Sequence, residues 1–182
     1  MTTAPRIRLI VNPSAASGRA RRVLGRASAR RIEAVASDSA EHLAELVRSA
    51  RAGGAGAVAL AGGDGTLTSA LGALAAPGAL PVGLVPAGSG NDFARDLRIP
   101  LDVEQALDAL PTSVERRIDL GELSGSGARF ACVATMGFDE LALRTVHGSR
   151  WPRSRALNVY AALRALLTYS PRRLSIEWEG GR

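Results

Sequence analysis

A chain of 182 residues, 46% of them hydrophobic and 22% charged, has room for one complete core or for one domain and part of a second. Its net charge of +6 rests on arginine alone, since the sequence has no lysine. That excludes P-loop nucleotide sites (G-x-x-x-x-G-K-S/T) and protein kinases, both of which set a lysine on the phosphates.

Cys132, His42 and His147 are the only cysteine and histidines, too few and too scattered for a disulfide framework or a Cys/His metal site, and no metal ligands are assigned. Cys132 lies among Phe130, Ala131 and Val133 and reads as a small buried hydrophobe. No apolar run approaches the ~20 residues that cross a bilayer, and residues 1–13 lack the pattern of a secretory leader, so a cytoplasmic protein is expected. With aromatics at 4%, no nucleic-acid partner is expected.

In chain order, an aliphatic strand over 6–11 ends at Asn12-Pro13, followed by a helix over 19–31 and a strand over 32–36. A helix over 40–52 follows, with Leu43, Leu46 and Val47 as its apolar stripe, then a strand over 57–61, a helix over 66–75 and a strand over 81–85. Short helices are expected over 92–97 and from an Asp102 N-cap to residue 110, which Pro111 closes. Alternating strands and helices predict an α/β fold with a parallel sheet. Strands over 116–120 and 128–135, joined by the turn formers at 124–127, signal antiparallel pairing instead. The boundary is therefore placed near Gly121: residues 1–121 form an α/β domain, and 122–182 begin a β-rich domain. Helices over 140–146 and 155–169 lead to a strand over 173–178, with Leu174, Ile176 and Trp178 on one side. That strand has no obvious partner in the sequence, so the second domain is expected to be truncated.

Three loops carry the chemistry, and all lie at the C-terminal edge of the sheet, where α/β folds bind ligands. Gly62-Gly63-Asp64-Gly65-Thr66 joins a buried strand to a helix. Its glycines allow backbone N–H groups to approach phosphate oxygens, and the helix N-terminus adds partial positive charge. Asp64 fits beside phosphates when Mg²⁺ or a substrate hydroxyl lies between; the alternative is a helix cap. Gly88-Ser89-Gly90-Asn91-Asp92 follows the next strand, and Asn12-Pro13-Ser14-Ala15-Ala16-Ser17-Gly18 follows the first.

These loops, with Phe93-Ala94-Arg95, Ile118-Asp119 and Met136-Gly137-Phe138-Asp139, resemble the diacylglycerol kinase catalytic-domain family in order and spacing over nearly the whole chain. The resemblance implies an NAD kinase/diacylglycerol kinase-like α/β domain, then a β-rich lipid-binding domain, and transfer of the γ-phosphate of MgATP to a lipid hydroxyl. It implies that Asn12, Ser17, Gly18, the 62–66 loop and Ser89 surround ATP. Ser37 stands where the family has a threonine at the nucleotide, Asp64 positions MgATP or the acceptor, and Asn91 and Asp92 brace the loops. The family's general base lies in the later part of its second domain, so it is expected beyond residue 182, and this chain alone is expected to bind nucleotide without phosphorylating lipid. The implied partner is diacylglycerol or a related lipid alcohol at the inner membrane surface, with peripheral attachment; a homodimer is left open.

The arginines of the first helix (Arg19, Arg21, Arg22, Arg26, Arg30, Arg31) read either as a solvated face or, with those around Trp151, as contact with anionic membrane. Two other functions compete. An NAD kinase or phosphofructokinase-like enzyme shares the Gly-Gly-Asp-Gly pattern, and a non-catalytic nucleotide-binding module would use the same loops.

Overall fold

The computed structural model describes residues 5–15, 20–30, 32–149, 151, 155–171, 173 and 175–178. Strands β1 (Ile7–Val11), β2 (Glu33–Ala36), β3 (Ala57–Gly62) and β4 (Val82–Pro86) make one parallel sheet in the order β2-β1-β3-β4. The register aligns Ala36, Val11 and Ala61, and Ala61 with Val85. The strand ends are therefore level, and the loops leaving them share one edge. Strand order reverses between β1 and β3, which is the switch point where crossovers leave to opposite faces and open a crevice.

Strand residues alternate between two cores, as the two-residue period of a strand requires. Leu9, Val11, Ala59, Ala61 and Val85 pack against Val23 and Ala27 of α1 (Arg21–Ala29) and Ala106 and Leu107 of α5 (Val103–Ala109). Ile10, Val58 and Leu60 face the other way, onto Leu43 and Val47 of α2 (Ala40–Ser49), Leu67 and Leu71 of α3 (Asp64–Leu74), and Phe93 of α4 (Asp92–Asp96). Each large aliphatic side chain buried in this way contributes about 1.5–3 kcal/mol. Ser39 caps α2 by accepting from the His42 N–H at 3.1 Å, and Asp102 caps α5 by accepting from the Gln105 N–H at 3.0 Å, as expected for Asp102.

Several elements differ from expectation. Helix α3 starts at Asp64 rather than Thr66, so Asp64, Gly65 and Thr66 form its first turn. Pro111 does not stop the chain dead but sits in a 3-10 turn, Leu110–Thr112, because its fixed φ suits a first helical turn. Residues 113–120 are irregular: a short run with only Val114 and Ile118 β-branched needs a neighbouring strand to pair with, and none lies beside it among the described residues. The antiparallel hairpin exists but is short, β5 (Gly121–Glu122) with β6 (Arg129–Phe130).

The chain divides into two compact units, Met1–Cys132 and Val133–Arg182. In the second, α6 (Phe138–His147) packs with α7 (Arg155–Thr168), and the Phe138 and Tyr169 rings meet edge to face at 6.1 Å. Of the described residues in 173–178, only Trp178 carries a β-bridge, so the expected strand is not formed there; Leu174 lies outside the described residues.

Charge pairs secure the periphery. Arg26 of α1 and Arg30, its C-cap, bind Glu104 at 2.7 Å each, and Arg30 reaches Asp108 at 2.6 Å. These two arginines tie α1 to α5 and are not a free basic face; Arg21 and Arg22 are exposed, while Arg19 and Arg31 lie outside the described residues. Beside β1 and β2, Glu33 takes Arg8 at 2.7 Å and Arg6 at 2.6 Å. Hydrogen bonds from Arg8, then Arg6, hold the Glu33 carboxyl below its ordinary value of 4.5. The sign follows: the folded chain binds fewer protons than the unfolded one near that value, so this contribution is complete above 4.5 and fades as pH falls through the lowered folded value. Glu33→Gln should lower the urea midpoint at pH 7 slightly, and the deficit should shrink at pH 3. A deficit equal at both pH values would remove the pair from the acid response.

Candidate functional site

The edge at the switch point is built from the loops after β1, β3 and β4, and side chains lock the three together. Asn12 opens the first loop as an Asx turn, its Oδ1 accepting from the Ser14 N–H at 3.0 Å. Its Nδ2 donates to Thr66 Oγ1 at 3.0 Å, linking β1 to the first turn of α3. Thr66 is buried and lies over Gly62, where a Cβ would stand 2.6 Å from Thr66 Cβ. The hydroxyl is thus an internal brace, and the N-cap of α3 is Gly63, with no side-chain cap.

The β3 and β4 loops touch backbone to backbone. A Cβ on Gly63 would stand 2.8 Å from Gly88 Cα, and one on Gly88 would stand 2.6 Å from Asn91 Oδ1 and overlap Gly63. Both residues must be glycine for the loops to pass. Asn91 takes the left-handed conformation (φ 57°, ψ 43°) that asparagine tolerates best among side-chain-bearing residues. It bonds Gly88 twice, its Oδ1 accepting from the Gly88 N–H at 2.9 Å and its Nδ2 donating to the Gly88 carbonyl at 3.1 Å.

Asp64 is the remote cap of α4. Its Oδ2 accepts from the Asp92 N–H and its Oδ1 from the Phe93 N–H, both at 3.1 Å. A carboxylate on two first-turn N–H groups satisfies donors that a helix leaves unpaired and sits at the positive end of its dipole. The sequence suggested a cap as the alternative for Asp64, but not that it would cap the next loop's helix. Arg95 Nε closes the loop by donating to the Gly90 carbonyl at 3.1 Å, a role that sequence reasoning missed.

The expected site residues therefore separate. Asn12, Gly62, Gly63, Asp64, Thr66, Asn91 and the Asp92 backbone form one bonded assembly. Ser89 is exposed beside it, and Gly65 faces open space, with nothing within 4 Å of a built Cβ. Ser37, level with Asn12, is buried with its N–H (2.9 Å) and Oγ (3.3 Å) both on the Val11 carbonyl. Ser17 and Gly18 lie outside the described residues. Between β3, β4, α3 and α4 lies a cavity of about 20 Å³, lined by Leu60, Leu84, Pro86 and Phe93 among others. That is room for about one water, not a ligand.

Cys132 corrects a further expectation: it is exposed, because the chain runs irregularly after β6, and its Sγ lies 3.8 Å from Asp96 Oδ2. Partial desolvation, then the charges of Asp96, Asp64 and Asp92, push its thiol above its ordinary value. The same three carboxylates lie on this side of the edge, with Arg95 Nε 4.0 Å from Asp92 Oδ1. Among the described residues, no group of three or more His, Cys, Asp or Glu is placed to hold a metal ion.

Residues 6–123 match the family model described as diacylglycerol kinase catalytic domain. A diacylglycerol kinase of Mycobacterium tuberculosis is 36% identical over 141 residues, 75% of this chain and 45% of that protein. A Pseudomonas aeruginosa protein described as "Probable lipid kinase YegS-like" is 43% identical over 94 residues, 51% of this chain and 30% of that one. The chain thus spans less than half the length of these relatives. The crystal structure of a diacylglycerol kinase from Bacillus anthracis matches with a TM-score of 0.60 at 23% identity, over 71% of this chain and 47% of that one, a likeness of fold.

Proposed function

This chain belongs to the diacylglycerol kinase catalytic-domain family, and from that premise we propose that it is the nucleotide-binding part of an ATP-dependent lipid kinase that passes the γ-phosphate of MgATP to a lipid hydroxyl. The observation that carries the reading is the open N-terminus of α3, framed by loops that hydrogen bonds make rigid. Gly65 leaves that helix end bare; the Thr66 and Leu67 N–H groups are on the Gly63 carbonyl at 2.9 and 3.2 Å, so the Asp64 and Gly65 N–H groups are the ones that suit phosphate oxygens without a lysine. Asn12, Gly62 and Ser89 frame the approach, with Ser37 below.

Mg²⁺ fits here as the companion of the nucleotide. It would offset the negative potential of Asp64, Asp92 and Asp96 and neutralise charge on the transferring phosphoryl group. Asp64 has lone pairs left after its two N–H contacts and would face that ion through them. The domain reading is carried forward with it: residues 1–121 take the nucleotide, and 122–182 begin the lipid-binding part. Within the described residues no base is poised for the acceptor hydroxyl. His42 Nδ1 is engaged by the Asp38 N–H and carboxylate at 3.3 and 3.2 Å, and Asp64 is held on α4.

Gly65→Ala separates this reading from a merely structural loop. Open space around Gly65 means the methyl group costs the fold nothing, and alanine's helix propensity favours it by up to about 1 kcal/mol. The melting temperature should stay or rise while MgATP affinity measured by calorimetry falls roughly tenfold or more, because the methyl group occupies the space through which phosphate oxygens reach the backbone N–H groups and so weakens hydrogen bonds to a charged group. Unchanged ATP affinity in this variant would remove phosphate from the α3 N-terminus.

A further inference from the structure

We propose that α4 is a latch set by the nucleotide, held shut by Asp64 and loosened when that carboxylate also faces the cation of MgATP, an inference that rests on the nucleotide reading and deepens it. Among the described residues only Asn91 and Arg98 take positive φ without being glycine, each at 57°, and they flank the five residues of α4. Asparagine tolerates that conformation, whereas arginine is strained in it, its Cβ crowding the following carbonyl oxygen. Strain of this kind persists only where the surroundings over-determine it. Here both ends of the helix are tied. Asn91 bonds Gly88 twice, Asp64 takes the Asp92 and Phe93 N–H groups, and beyond the helix Arg98 and Ile99 donate to the Arg95 and Ala94 carbonyls at 3.0 and 2.8 Å.

The packing beneath α4 is slack. Phe93 and Ala94 line the cavity of about 20 Å³, and among the described residues no buried side-chain N or O lacks a partner, so no group there calls for a water. A short helix with strained ends, a void below it and a cap borrowed from another loop has a second arrangement within reach, as a fully packed helix has not. Asp64 decides between the two. Both of its oxygens are on α4, yet it stands in the first turn of α3, at the helix end that takes phosphate. A carboxylate that also faces a cation is a weaker acceptor, so MgATP loosens the two bonds without touching α4 itself. The far end of the helix carries the change onward. Asp96 Oδ2 lies 3.8 Å from Cys132 Sγ, and Cys132 is the last residue of the first unit, so nucleotide occupancy is felt where the chain passes into the second.

The test is amide hydrogen exchange of the purified chain, followed by NMR without ligand, with MgATP, and with ATP and a chelator, alongside calorimetry of MgATP binding. MgATP should slow exchange at Asp64 and Gly65 and speed it roughly tenfold at Asp92, Phe93, Leu97 and Ile99 together, whereas ATP with the chelator should not speed it. With no nucleotide present, Asp64→Asn, whose amide accepts through one oxygen only, should speed the same four amides by a similar factor. Arg98→Gly, at an exposed position outside the three loops, relieves the strain and should slow them severalfold. MgATP binding with the α4 amides unchanged or slowed overturns the latch and leaves the nucleotide reading standing. Acceleration confined to Asp92 and Phe93 also overturns it, by making Asp64 a cap alone, and so does equal acceleration with and without the divalent cation. No calorimetric binding of MgATP overturns the nucleotide reading and the coupling with it.

Discussion

Gly88→Val is expected to abolish MgATP binding and to destabilise the fold together. The Gly88 Cβ would enter the Gly63 backbone and the Asn91 amide, and neither can give way as the end of a flexible side chain could. Asn91 is held in a left-handed conformation by two hydrogen bonds to Gly88, so moving one loop undoes the other. Overpacking of this kind costs about 1–3 kcal/mol, and the three loops would lose their common edge. Gly72→Ala, a helical glycine with nothing within 4 Å of its Cβ, is the matched control and should bind normally. Calorimetry and thermal melting check both; a Gly88→Val protein that bound MgATP with wild-type affinity would show that the loop contact does not shape the site.

Asp64→Ala should have the second largest effect. It strips the acceptor from two first-turn N–H groups of α4, and losing a cap costs about 0.5–2 kcal/mol. Phe93, a core residue of the second face, sits on the segment those bonds hold. If the lipid-kinase reading holds, the same change should lower turnover by roughly a hundredfold, the scale of losing one preorganised electrostatic group. Melting and lipid-kinase kinetics measure the two effects separately. A turnover loss under about tenfold with the expected drop in stability would make Asp64 a cap and nothing more.

The sheet was legible because its strands are aliphatic runs that end at turn formers, and level strand ends follow from parallel pairing once the crossovers are recognised. The glycine loops were legible as a ligand edge, but their physical reason was only half visible. Sequence suggested glycine for close approach to phosphate; at Gly62, Gly63 and Gly88 the close neighbours are Thr66 and the opposing loop, while Gly65 alone keeps the open face. That difference depends on which loops meet in space, which spacing along the chain does not encode. Asp64 is a similar case, since its partners lie 28 and 29 residues away. The run at 116–120 misled because β propensity reads the residue and not the neighbour it needs. Among the first-helix arginines, the exposed Arg21 and Arg22 fit the solvated face, whereas the acids that claim Arg26 and Arg30 are on α5 and could not be read from the helix itself.

A titration of MgATP into the labelled chain followed by backbone amide NMR tests the central claim most directly. Shifts should concentrate at Asn12 to Ala15, at Gly62 to Leu67 and at Gly88 to Asn91, and all three groups should saturate along one binding curve. Shifts gathered at the opposite edge of the sheet, near Arg6 and Glu33, or no saturable shift at all, would contradict it.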